Sequence, residues 1–204
     1  MCGPEPRQIP PSARDTLTAA LKKGDADAVN SLKSAYPLQD LIRLKDDLLS
    51  GLTRRYLAGE AAFCEITAAA QASRVLYDPS LPPKVCVGAV EGNESGTGRD
   101  YMMMLLTAWG VPAMDLGLDA GPGKFLEAVR EHDLKAAVCA IFSDRDLESV
   151  RELHRRAESE GLRDSFLLAV CGAEHGSYRA EDFRLDCPEH RAAAVAEWVA
   201  RQWK

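Results

Sequence analysis

Residues 84–100 read K-V-C-V-G-A-V-E-G-N-E-S-G-T-G-R-D, and this stretch decides the class of fold. Its first part is a short apolar run that is typical of a buried strand, and its end opens a stretch of helical length. Between the two lie Gly92, Gly96 and Gly98, which lack side chains and let the backbone come close to a bulky ligand. We therefore predict a strand, a ligand-binding loop and a helix, in that order.

The same alternation continues to the end of the chain. Five strands are predicted, at 85–90, 113–116, 136–142, 166–170 and 183–185. Amphipathic stretches of helical length follow at 99–109, 124–131, 147–160 and 190–203. This pattern predicts an α/β fold, a flavodoxin-like doubly wound parallel sheet of five strands with helices on both faces. Ligands of such sheets bind beyond the carboxyl ends of the strands, so we expect the loops after the strands to carry the function.

The chain before about Leu81 has a helical pattern throughout. Four amphipathic helices are predicted there, with a stop at Gly24, and the last helix presents a face of small residues. The Pro-rich segment Y-D-P-S-L-P-P at 77–83 ends this pattern. We therefore predict a four-helix domain at 12–80 and an α/β domain at 84–204.

Composition narrows the classes of function. The chain has 204 residues, of which 46% are hydrophobic and 27% charged, as expected of a soluble globular protein. Its net charge of −6 argues against an extended surface that binds nucleic acid or anionic lipid electrostatically. No apolar run approaches the ~20 residues that span a membrane, and six cysteines without a C-x-x-C pair predict reduced thiols and no zinc site. We expect a cytoplasmic protein whose partner is a small molecule or another protein.

Two common nucleotide motifs fail at the glycine-rich loop. Counted from Gly96, the dinucleotide pattern G-x-G-x-x-G has Tyr101 where its last glycine should be. Counted from Gly92, the phosphate-loop pattern G-x-x-x-x-G-K has Thr97 in place of its second glycine. Neither site is predicted.

Three segments resemble one family. They are G-L-T-R-R-Y-L-A-G-E-A-A-F at 51–63, K-V-C-V-G-A-V-E-G at 84–92 and G-V-P-A-M-D-L-G at 110–117. In this order they resemble the corrinoid proteins of methyltransferase systems and the cobalamin-binding modules of methionine synthase. The resemblance covers most of the chain from about Leu17. It implies a helical cap followed by a doubly wound α/β domain, with cobalamin bound between the cap on its upper face and the α/β domain on its lower face.

The chain departs from that family where the cobalt ligand should be. The family pattern is D-x-H-x-x-G, in which the histidine coordinates cobalt and the aspartate holds the histidine. The six matching positions here, 93–98, read N-E-S-G-T-G. Gly98 is kept, whereas Ser95 replaces the histidine, Asn93 the aspartate and Cys139 a serine of the same relay. Because a carboxylate that orients an imidazole has no purpose without it, we interpret the joint change as a different mode of ligation.

The resemblance implies a set of site residues, with no catalytic residue and no protein metal ligand among them. The expected cofactor-binding residues are Gly92, Asn93, Glu94, Ser95, Gly96, Thr97, Gly98, Cys139, Ser143, Cys171, Gly172 and His175. Plainer roles compete with binding for several of them. Asn93 and Ser95 fit loop caps equally well, Cys139 and Cys171 fit core thiols, and Ser143 fits a helix cap.

Three kinds of function remain open. The first is a cobalamin-binding methyl carrier that works with a separate methyltransferase, a carrier subunit more than a complete enzyme, or a sensor that binds cobalamin without chemistry. The second is an FMN-binding, flavodoxin-like electron carrier, because Ser95, Thr97, Gly98 and Asp100 resemble a hydroxyl-rich phosphate loop. Against it, the segments directly after the third and fourth strands contain no tyrosine or tryptophan except Tyr178 to flank a flavin. The third is a relict domain that serves protein interactions.

Overall fold

The computed structural model describes residues 9–172 and 184–203. The chain divides into two compact units, Met1–Asp78 and Pro79–Lys204. Within the described ranges, none of the helices combines the length and the apolar character needed to cross a bilayer.

The described part of the first unit consists of four α-helices. They are α1 (Pro11–Lys23), α2 (Ala26–Ala35), α3 (Leu38–Leu57) and α4 (Phe63–Ser73). Gly24 ends α1 in the left-handed region at φ 72°, and the carboxylate of Asp25 then caps α2 by accepting from the N–H of Ala28 at 3.0 Å. Ala69 and Ala70 of α4 are fully buried, and their small side chains let α4 contact all three other helices.

The second unit is a parallel sheet covered by helices. Its elements, in chain order, are β1 (Val85–Val90), α5 (Thr97–Ala108), β2 (Ala113–Ala120), α6 (Pro122–His132), β3 (Ala136–Ile141), α7 (Leu147–Ser159), β4 (Leu167–Gly172) and α8 (Ala192–Arg201). The strand order is β2-β1-β3-β4, and every described pair is parallel. Helices α5 and α8 contact each other over one face, while α6 and α7 share a core cluster with the other face. The fold class is therefore α/β, as predicted.

The prediction of five strands is wrong for the part of the chain that the structure describes, where the sheet has four. Phe183 lies outside the described residues, and Arg184 and Leu185 are not in a strand. Arg184 has a φ of 47°, which a strand does not tolerate. The segment meets the edge strand β4 through the N–H of Asp186, which donates to the carbonyl of Leu168 at 2.9 Å.

Strand β2 is longer than predicted, ending at Ala120 rather than at residue 116. The sequence of its second half, G-L-D-A, lacks an apolar run, and a glycine at position 117 is typical of a turn. In the structure Gly117 has a left-handed φ of 79° but stays within the strand. Register shifts against β1 on both sides of Gly88 absorb the irregularity. The extension carries Leu118 and Asp119 to the edge where the strands end.

Candidate functional site

The topology selects one edge of the sheet. β1 lies between β2 and β3 in the sheet. The connection after β1 leads to β2 on one side, and the connection after β2 crosses to β3 on the other side. This is the point at which the strand order reverses, and ligands of parallel α/β sheets bind where the loops diverge at such a point, at the carboxyl ends of the strands. The loop after β1, residues 91–96, and the loop after β3, residues 142–146, are the two loops that flank this point.

Asn93 ties the first loop to the neighbouring strand. Its side chain is buried, with 4% of the residue exposed. The Nδ2 amide donates to the carbonyl of Ala140 at 3.0 Å, and Oδ1 accepts from the N–H of Ser95 at 2.8 Å. Both ends of the amide are therefore used by backbone groups, so Asn93 is a loop cap in this structure.

A second polar contact holds the same loop from β2. Asp119 adopts a left-handed conformation at φ 50°, and its carboxylate accepts from the N–H of Gly92 at 2.8 Å. Gly92 is itself left-handed at φ 86°, a conformation that glycine adopts without strain. The loop after β1 is thus anchored on both sides, to β2 through Asp119 and to β3 through Asn93.

The loop after β3 is built around a buried carboxylate. Asp146 is 6% exposed. Its side chain accepts from the N–H of Phe142 at 2.6 Å, from the N–H of Ser143 at 3.1 Å and from the Ser143 hydroxyl at 3.1 Å. Because the Ser143 hydroxyl gives its proton to Asp146, only its oxygen lone pairs remain for a ligand.

Large apolar side chains are exposed beside these loops. Phe142, predicted as the end of the third strand, lies just beyond β3 and is 71% exposed. Leu118, near the end of β2, is 47% exposed. A Cβ added to Gly96 would lie 3.4 Å from Leu118 Cδ2, so the leucine borders the glycine-rich loop.

The glycines of the site differ in why they are glycines. Gly172 has φ 132°, and an added Cβ would lie 1.8 Å from the carbonyl oxygen of Ile141, so the fold itself requires glycine there. Gly98, in the first turn of α5, would place a Cβ in ordinary contact with Ala140 at 3.5 Å. The packing of the chain does not require glycine at position 98.

The predicted cysteines are buried thiols. Burial raises the pKa of Cys171 to about 12. Burial also raises the pKa of Cys139 well above its ordinary range, and the neighbouring thiols of Cys86 and Cys171 raise it further. Cys171 Sγ lies 4.0 Å from the carbonyl oxygen of Gly98, a weak contact between β4 and α5. Both cysteines therefore favour the neutral thiol near neutral pH, as core cysteines do.

The other predicted site residues lie at the surface of the loop after β1 or outside the described residues. Glu94 and Thr97 are exposed, and Ser95 and Gly96 are half-buried. His175 lies outside the described residues. His190, expected only at a helix start, lies at the carboxyl end of β4, where its carbonyl accepts from the N–H of Gly172 at 3.2 Å.

Four residues of this edge were missed by the sequence analysis: Asp119, Asp146, Phe142 and Leu118. Asp146 had a signal, since Ser143 and Asp146 form the S-x-x-D pattern of a capping box. Phe142 had none, because it ends an apolar segment that resembles core, and Gly117 makes the segment that holds Asp119 and Leu118 resemble a turn.

Comparison with known proteins identifies proteins with the same architecture. No protein-family model matches the chain. A corrinoid protein of Desulfitobacterium hafniense is 24% identical over 195 residues, 86% of this chain and 90% of its own.

Solved structures match over nearly the whole length. A cobalamin-binding protein from Desulfitobacterium hafniense has a TM-score of 0.78 at 18% identity, covering 94% of this chain and 98% of its own. The methanol:cobalamin methyltransferase complex from Methanosarcina barkeri contains a chain with a TM-score of 0.69 at 19% identity, covering 96% of this chain and 81% of its own. The monomethylamine corrinoid protein of Methanosarcina barkeri has a TM-score of 0.55 at 19% identity, covering 94% and 96%. These likenesses confirm the resemblance found in the sequence motifs and establish the fold.

Proposed function

We propose that the protein binds cobalamin at the carboxyl edge of its α/β unit and acts as the corrinoid-carrying subunit of a methyltransferase system. The observation that carries the proposal is the relative named a corrinoid protein, which is similar over 195 residues and therefore across both units. The cobalamin-binding and methyltransferase-associated proteins that share the fold support it.

The residues at this edge fit a corrinoid. Gly98 leaves a space that the packing of the chain does not demand, and Phe142 and Leu118 offer apolar surface beside it. Among the described residues, no group of histidine, cysteine and acidic side chains could hold a metal ion by itself. A corrin ring brings four nitrogen ligands of its own, so it asks the protein for a matching shape more than for a ligand set.

The chain's own groups then have separable tasks. When bound, the cobalt of the cofactor supplies the nucleophile for methyl transfer, and the protein supplies geometry and shielding. Asn93 and Asp119 hold the loop after β1 in one conformation, and Asp146 does the same for the loop after β3. Ser143 presents a hydrogen-bond acceptor, which suits a donor such as an amide N–H on the rim of the ring.

The lower face of the cofactor meets no histidine in the loop after β1. Ser95 stands at the position of the family's histidine, and its neutral hydroxyl is a poor cobalt ligand. Asn93 cannot orient an imidazole as it stands, since both ends of its amide already bind backbone groups. Without a histidine in this loop, a bound cobalt would take its lower ligand from the cofactor's own benzimidazole or from water, or would have none.

Equilibrium dialysis tests the binding proposal. The full-length protein is expected to retain cobalamin saturably and to leave FMN unbound. Absence of saturable cobalamin retention, with the fold intact by circular dichroism, would refute it. Retention of FMN alone would support the flavodoxin-like electron carrier.

Electron paramagnetic resonance of the Co(II) form tests the lower ligand. One coordinating nitrogen splits the cobalt lines, so labelling the protein uniformly with the heavier nitrogen isotope reveals the origin of that nitrogen. Unchanged splitting is expected. An altered splitting would mean that a protein imidazole is the ligand, and the variants His190→Ala and His175→Ala would identify it.

Conversion of the ligation mode tests the role of the loop. Ser95→His alone is expected to coordinate cobalt incompletely, because Asn93 offers no carboxylate to polarise the new imidazole. Adding Asn93→Asp should make the conversion more complete. Equal spectra for the single and double variants would show that the residue at position 93 does not govern ligation.

A labelled methyl group separates carrier from sensor. A carrier loaded with it passes the label to an acceptor only when a methyltransferase is added. A sensor keeps the label under both conditions.

A further inference from the structure

The exposure of Phe142 is unusual for its type. At 71% it is the most exposed large apolar side chain in residues 9–172 and 184–203, and Leu118 at 47% stands at the same edge. Burial of such a side chain stabilises a protein, because it removes apolar surface from water. The free chain forgoes that stabilisation at both positions, so the pair marks a surface that a ligand can cover.

The two side chains flank the glycine-rich loop. Leu118 lies near the end of β2 and Phe142 just beyond β3, and β1 runs between those strands. The loop after β1 therefore leaves the sheet between them. Leu118 also borders Gly96 of that loop. The arrangement is a strip of leucine, glycine-rich loop and phenylalanine across the carboxyl ends of three strands.

The backbone at Phe142 is held in place by one buried side chain. The buried Asp146 accepts from the N–H of Phe142 and takes both the N–H and the hydroxyl of Ser143. A buried carboxylate needs such partners, since an unsatisfied charge would destabilise the fold. The result is a hydrogen-bonded loop that presents an aromatic ring to solvent.

We propose that Phe142 and Leu118 are the apolar contacts for the flat face of the corrin ring, and that Asp146 is the positioning residue that sets Phe142 for it. This rests on the proposed function. A corrin is a broad, largely apolar ring, so it matches an apolar strip wider than one strand. The amide groups on its rim match the acceptor oxygen of Ser143.

Binding affinity for cobalamin tests the two contacts. Phe142→Ser and Leu118→Ser are each expected to raise the Kd about tenfold, whereas Phe142→Leu keeps it within about threefold of the wild type. Leu81→Ser is the matched control, because Leu81 is as exposed as Leu118 but lies in the segment before β1. It should leave the Kd unchanged. Circular dichroism and urea unfolding check that each variant is folded.

A double-mutant cycle tests Asp146. Asp146→Asn replaces one acceptor oxygen by a donor facing the backbone, so it should free the loop and raise the Kd about fivefold. In the Phe142→Ser background the same change should raise it less than about twofold. Equal effects in both backgrounds would show a merely structural role and overturn the assignment of Asp146.

The outcomes separate the two levels of the proposal. If the wild type binds cobalamin and the serine variants bind as tightly as Leu81→Ser, the apolar contacts are refuted and the proposed function stands. If the wild type does not bind cobalamin, both are refuted.

Discussion

At the scale of the residue, Asn93 shows how one side chain serves the loop instead of a metal. An amide can donate and accept at once, and here it donates to β3 and accepts from the loop. An aspartate has only acceptors when ionised, so it could not make the same two contacts. Asparagine at this position is therefore favoured by the fold of the free chain.

Asn93→Asp should destabilise the protein. The new carboxylate oxygen would face the carbonyl of Ala140, 3.0 Å from the present donor, and would lose a buried hydrogen bond. We expect a loss of about 1–3 kcal/mol in the free energy of unfolding, measured by urea denaturation. Ser95→Ala is the control, because only the backbone N–H of Ser95 takes part in the contact with Asn93. A variant as stable as the wild type would mean that the tether contributes nothing.

His154 should make stability depend on pH. Its Nδ1 lies 3.3 Å from Arg163 Nε, which donates to it, so the neutral ring is the form that fits. Burial is the largest cause that shifts its pKa, and it lowers the pKa from the ordinary value of 6.5. The charges of Arg163 and Arg184 lower the pKa further. The charges of Glu158 and Asp186 act in the opposite direction and do not cancel the shift. As pH falls, the unfolded chain takes up the proton before the folded chain does. The contribution of His154 to the free energy of unfolding is therefore complete above pH 6.5 and is lost as the pH falls below that value.

The matched variant is His154→Asn, whose Oδ1 can accept the same hydrogen bond without titrating. Urea unfolding at about pH 7.5 and about pH 5 should show a larger loss of stability for the wild type than for the variant. Identical losses would exclude His154 as a source of the pH dependence.

At the scale of the element, the ends of β3 and β4 and the start of α5 meet at two glycines with different roles. Gly172 is demanded by the close approach of β4 to the carbonyl of Ile141. Gly98 is free of such a demand, and glycine in the first turn of a helix is less favourable than alanine. We propose that contact with the ligand is the reason for the missing side chain at position 98.

Alanine substitutions should separate these roles. Gly172→Ala is expected to lower the free energy of unfolding by at least about 3 kcal/mol, because its Cβ would overlap the backbone of β3 and its φ is positive. Gly98→Ala should change stability by no more than about 1 kcal/mol, in the stabilising direction. The same variant should raise the Kd for cobalamin about tenfold. Normal binding by a folded Gly98→Ala would remove Gly98 from the site.

At the scale of the whole molecule, a ligand bound only by the folded chain must stabilise it. Cobalamin at about 100 times its Kd should raise the free energy of unfolding by about 2.7 kcal/mol. FMN at the same concentration should have no effect. A thermal or urea transition that does not move with cobalamin, in a protein that retains cobalamin on dialysis, would mean that the unfolded chain binds it equally well.

Much of the architecture was predictable because it depends on local periodicity. Apolar residues at helical spacing predicted the four helices of the first unit, and the apolar runs of β1 and β3 predicted strands that are fully buried. The position of the loop after β1 was predictable because several glycines between an apolar run and a helical stretch interrupt both kinds of regular structure. The fifth strand failed because a strand needs a partner along its length, and the segment after residue 183 shares few backbone contacts with β4.

The α/β class, the order of the helices and of four strands, and the position of the glycine-rich loop followed from the sequence alone, since each depends on neighbours within a few residues. Only the tertiary structure decided that Asn93 spans to β3, that Gly172 is required by Ile141 and that Asp146 holds the loop of an exposed Phe142. These features depend on which residues meet across neighbouring strands and on which side chains remain uncovered. Burial and hydrogen-bond partners are properties of the packed chain, and an apolar residue in a sequence does not reveal whether the fold or a ligand will cover it.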